Sequence, residues 1–128
     1  MVHPTEAWVH KAEGDYRSME RESAVVIEPN PDAVCFLAQQ CVEKYLKGRL
    51  NAADRPIRRI HDLVGLLDDI IDLEPTWRGF RHGFGLLNEF AVNSRYPGDV
   101  TTADDAREAV EACRRFRAAA RMALGLPA

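Results

Sequence analysis

No apolar stretch in this sequence approaches the roughly 18 residues of a membrane span. The opening residues, MVHPTEAWVHKAEGDYR, carry charges where a signal peptide needs an apolar core. Both absences lead us to expect a soluble, cytoplasmic protein. Cysteine is scarce: Cys35, Cys41 and Cys113 form no CxxC pair, and the four histidines are scattered. That excludes the common zinc spacings and predicts reduced, buried thiols, with no metal and no other cofactor. An excess of basic charge is missing too. The net charge of −3 and isoelectric point near 5.8 exclude whole-surface electrostatic binding of nucleic acid. β-Branched residues never alternate with polar ones over a useful length, so no strand is predicted. The chain also has no internal repeat, low-complexity tract or dividing linker.

What remains is helical periodicity. The 128 residues, 46% of them hydrophobic, suit one compact domain over 1–128 with its core at about 5–124. A domain of this size buries roughly two-thirds of its unfolded surface and needs no disulfide or metal staple. Trp8, Ala12 and Met19 share a face of a first helix, Thr5 to Ser23, which the run Glu28-Pro29-Asn30-Pro31 follows. A second helix runs from about Asp32 to Ala52, with Val34, Leu37, Ala38, Cys41, Tyr45 and Leu46 inward. A third spans Asp62 to Asp72. After Pro75, a fourth spans Thr76 to Ser94 on the stripe Phe80, Phe84, Leu87 and Ala91. Gly79 and Gly83, four apart, would let that helix approach a neighbour closely. Pro97-Gly98 ends it. Thr101-Thr102 and then Asp104-Asp105 signal the start of a fifth helix, which reaches about Leu124. The expected fold is all-α: an up-and-down bundle of four longer helices and one short one.

The most informative stretch is LAQQCVEKYLKGRL, residues 37–50. Gln40, Glu43, Lys44 and Lys47 fall at helical offsets and form a polar ridge. Spacing alone makes this a solvated face, with Glu43–Lys47 an ordinary i,i+4 ion pair worth about 0.2–0.5 kcal/mol. Lys44, Lys47, Arg49, Arg55, Arg58 and Arg59 are interrupted by one acid, Asp54. Such a patch suits phosphate, RNA or an acidic partner, or else counters acids elsewhere in the fold. Asp15 lies on the inward side of the first helix, where an acid needs a partner. Lys44 or Arg95 could supply a structural ion pair. On the fourth helix Arg81, Asn88 and Arg95 stack along one stripe.

Trp8, Ala12 and Asp15, then QQCVEKYLKGRL, then His61-Asp62-Leu63, then SRYPGDV at 94–100 occur in an order that resembles the HEPN family (higher eukaryotes and prokaryotes nucleotide-binding). The resemblance runs from about Trp8 to Ala120. It implies a helical bundle that pairs as a homodimer with a groove between protomers. It also implies a partner, since many prokaryotic members neighbour a minimal nucleotidyltransferase in a toxin–antitoxin-like module. Ribonuclease members of the family carry an arginine followed, after four to six residues, by a histidine, and cleave RNA without metal. Arg95 stands at the arginine position, but Val100, Thr101 and Thr102 stand where the histidine belongs. Without an imidazole, no group with a pKa near 7 is placed to move the 2′-hydroxyl proton. A guanidinium beside an aromatic ring still holds phosphate and stacks a base. The expectation is therefore a non-catalytic module binding nucleotide or RNA phosphate through Arg95 and Tyr96, with Asn88, Lys44 and Lys47. The competing expectations are a ribonuclease toxin that uses a displaced His61 or His82, and a purely structural dimer that presents a protein surface.

Overall fold

The computed structural model describes residues 4–93 and 97–128. Helix α1 spans Thr5–Ser23, α2 Pro31–Ala52, α3 Leu63–Ile70, α4 Arg81–Asn93 and α5 Ala103–Ala123. No strand occurs among the described residues. Among the described residues, the observed architecture is thus the all-α bundle of four longer helices and one short one.

Local signals set most helix ends. Asn30 accepts a hydrogen bond from the Ala33 N–H at 3.1 Å while Pro31 begins α2. Thr102 and Asp105 exchange side-chain and backbone bonds at 3.1 and 3.0 Å, a capping box that starts α5. Asp62 lies one residue outside α3 and caps it, accepting from the Val64 N–H at 3.0 Å. The fourth helix differs from its sequence pattern. Pro75–Phe80 is a 3-10 helix, and regular α-helix begins only at Arg81. Gly79 in this turn lowers α propensity, and a 3-10 entry is a common start to an α-helix.

α2 is the centre of the bundle and packs against α1, α3, α4 and α5. Val34, Cys35, Ala38, Cys41, Val42, Tyr45, Leu46 and Leu50 are buried around nearly its whole circumference. A helix enclosed on all sides needs no single apolar stripe. A close helix approach occurs at Gly48, where an added Cβ would stand 3.1 Å from the Trp8 Cβ. Gly79 and Gly83 do not play that part: nothing lies within 4 Å of a Cβ at 79, and at 83 it would meet Ala112 at an ordinary 3.5 Å. Trp77, Phe80 and Phe84 surround Phe116 of α5 with ring centroids 4.8–5.3 Å away, all edge-on.

The three cysteines are buried and unbridged. Burial pushes the Cys35 thiol up to about 12. A hydrogen bond with Cys113 and burial push the Cys41 thiol up as well. All three are packing residues.

Candidate functional site

A cleft of about 550 Å³ opens where the first half of α2, the segment before α3 and the second half of α4 converge. Phe36, Gln39, Gln40, His61, Asp62, Asn88, Ala91 and Val92 line it. Its shape follows from two side-chain amides that hold residues 61–63 in place. Asn88 accepts from the Leu63 N–H at 3.1 Å and donates to Asp62 Oδ1 at 2.8 Å. Gln39 donates to the His61 carbonyl at 2.9 Å and to Glu43 Oε1 at 3.1 Å. Gln40 in turn donates to Gln39 Oε1 at 2.7 Å. Gln39 spends both amide protons inside the protein, whereas Gln40 keeps one N–H and its carbonyl oxygen for the cleft.

Beneath the cleft lies a buried charge pair. Glu43 and Lys47 are only 4% and 7% exposed, and Lys47 Nζ is 3.2 Å from Glu43 Oε2. The other carboxylate oxygen, Oε1, lies 2.9 Å from His61 Nδ1. The imidazole itself is 74% exposed, so an outward-facing ring is tethered by one nitrogen to an enclosed acid. The expected solvated ridge is therefore corrected. Gln40 and Lys44 are half-buried, while Glu43 and Lys47 are enclosed by neighbours that helical spacing does not reveal.

The residues singled out in the sequence fall into separate settings. Lys44 forms an ion pair with Asp15, and Lys47 is committed to Glu43. Asn88 lines the cleft. Arg95 and Tyr96 lie outside the described residues. Two residues, Asn93 and Ser94, separate Val92 from Arg95 in the sequence, a step of at most about 11 Å of extended chain. The basic cluster is largely neutralised. Arg49 meets Glu74 at 3.0 Å, Arg55 grips both oxygens of Asp72 at 2.6 Å, and Arg58 meets Asp69 at 2.8 Å. Arg58 also donates to the Gly65 carbonyl and Arg55 to the Asp69 carbonyl, so these two arginines clip the segment before α3 onto α3. Arg81 pairs with Asp68. His82 lines a different cleft, with Arg107 and Arg115 of α5.

Gln39, Glu43 and Phe36 are the site residues that spacing alone did not single out as functional. The one usable signal was two polar residues, 39 and 43, one turn apart in a segment otherwise rich in apolar residues. Among the described residues, no group of three or more His, Cys, Asp and Glu is placed to hold a metal. No described helix is long and apolar enough to cross a membrane.

A family model described as HEPN domain matches residues 5–123. Among solved structures, the crystal structure of TT1696 from Thermus thermophilus superposes with a TM-score of 0.80 at 20% identity. The match covers 93% of this chain and 97% of that one. At that identity the likeness speaks for the fold alone. Among curated proteins no match was found.

Proposed function

The chain belongs to the HEPN domain family, and on that premise we propose that it is a non-catalytic module that binds a nucleotide or RNA phosphate in the cleft beside α4. The observation that carries this reading is the lining of the cleft. A half-exposed aromatic ring, Phe36, stands with Gln40, His61 and Asn88 around one opening. Aromatic faces stack bases, and amides bond base edges. Arg95, a few residues beyond Val92, supplies the phosphate contact in this reading, and Tyr96 a second stacking surface. Lys44 and Lys47 are held by Asp15 and Glu43 and are not among the residues that line this cleft.

The module acts as a cytoplasmic homodimer whose protomers form a groove between them. Its partner is a minimal nucleotidyltransferase in a toxin–antitoxin-like pair. Titration of the purified protein with nucleoside monophosphates and a short single-stranded RNA tests the reading. Arg95→Ala and Gln40→Ala are expected to weaken binding about tenfold each, the effect of losing one charged or well-placed hydrogen bond. Binding unchanged by Arg95→Ala would remove that residue from the site.

The Glu43–His61 hydrogen bond favours a second reading, a metal-independent ribonuclease in which His61 serves with Arg95. Cleavage of bulk RNA in EDTA, lost in both Arg95→Ala and His61→Ala, would establish it over simple binding. Intact RNA at stoichiometric protein would exclude it.

A further inference from the structure

His61 differs from the other described histidines in what holds its ring. His10 and His82 are exposed like it. Among the described residues, however, only the His61 ring has a carboxylate at hydrogen-bond distance. That carboxylate, Glu43, is itself fixed by Lys47 at 3.2 Å and Gln39 at 3.1 Å. An ionised carboxylate can only accept, so Nδ1 carries the proton and the free lone pair of the neutral ring is confined to Nε2. Glu43 thus acts as a hydrogen-bond acceptor that orients the ring and is itself held in place by Lys47 and Gln39.

From this geometry we infer that His61 Nε2 is a phosphoryl-acceptor site, taking phosphate from a small donor of the phosphoramidate or acyl-phosphate class. With phosphoramidate in its N-protonated form, the Nε2 lone pair forms a bond to phosphorus and the donor's P–N bond breaks. Its electron pair leaves on nitrogen as ammonia. The ring keeps its Nδ1 proton and becomes a phosphorylated imidazolium. The positive charge gained by the ring faces Glu43 at 2.9 Å. Glu43 therefore stabilises the transition state more than the neutral ground state, which is the condition for acceleration. The inference is independent of nucleotide binding, because it rests on the Glu43–His61 hydrogen bond and the groups that fix Glu43.

The test is incubation of the intact protein with potassium phosphoramidate at neutral pH, with site-resolved mass spectrometry after alkaline work-up. His61 is expected to gain phosphate about tenfold faster than His10 and His82, the benefit of one charge-assisted hydrogen bond. Glu43→Gln, which keeps the shape of the side chain, is expected to bring His61 down to the rate of the other two. His61→Asn removes the label. Equal labelling of His61, His10 and His82 in the wild-type protein would overturn the inference without reference to any variant. An unchanged His61 rate in a folded Glu43→Gln protein would overturn it as well.

Discussion

At the residue scale, the cleft depends on side chains that serve the fold and the surface together. Asn88 uses both ends of its amide to hold Leu63 and Asp62. Asn88→Ala is expected to cost about 2 kcal/mol, two net hydrogen bonds, with the backbone donor of Leu63 left unpaired. Chemical denaturation would show this as a lower midpoint at unchanged slope. Glu13 carries a different prediction. The paired Arg117 guanidinium, at 2.7 and 2.8 Å, with Tyr45 and Arg121 adding to it, holds the Glu13 carboxyl at about 2, below its ordinary 4.5. A carboxyl depressed by folding contributes stability that is present above pH 4.5 and lost as pH falls from 4.5 towards 2. The thermal midpoint of the wild-type protein should therefore fall more steeply across that window than that of Glu13→Gln. Parallel curves would show that Glu13 contributes nothing specific to acid stability.

At the element scale, glycine substitutions separate close packing from helix propensity. A Cβ at Gly48 would come within 3.1 Å of the Trp8 Cβ, an atom fixed to the α1 backbone. Gly48→Ala is expected to destabilise by roughly 1 kcal/mol, with the clash exceeding the gain in propensity. Gly85 in α4 has open space around the same position, so Gly85→Ala should stabilise by about 0.5–1 kcal/mol. Thermal unfolding of the two variants decides the matter, and shifts of the same sign would contradict the packing described. The helices themselves were legible in the sequence, because Asn30-Pro31 and Thr102 with Asp105 announce helix starts in local chemistry. The environment of α2 was not. Glu43 and Lys47 follow the spacing of a surface pair, and only the return of the chain at His61 and the packing of α4 enclose them. Likewise the 3-10 turn at Pro75–Phe80 carries Trp77 and Phe80 onto Phe116, a contact between distant segments that spacing does not reveal. The link between the cleft and the buried pair beneath it was therefore hidden, since His61 and Glu43 are brought together across eighteen positions of sequence.

At the scale of the whole molecule, α2 joins the core to the cleft. The same helix buries Cys41, Tyr45 and Leu46 inside the bundle and presents Phe36 and Gln40 at the opening. We propose that the chain unfolds as one cooperative domain, since every long helix packs on α2. A single calorimetric transition with matching van't Hoff and measured enthalpies would support this, and two resolved transitions would count against it. The charge distribution also sets where a ligand approaches. With Arg55 and Arg58 held by Asp72 and Asp69, two of the three arginines in the segment before α3 are already paired. In this account binding is confined to the cleft. The most direct test is chemical-shift mapping of isotope-labelled protein titrated with AMP. The expected result is shifts concentrated in the side-chain amides of Gln40 and Asn88 and in the backbone of residues 61–63 and 91–96. Shifts centred on residues 55–59, or none at millimolar nucleotide, would contradict the account.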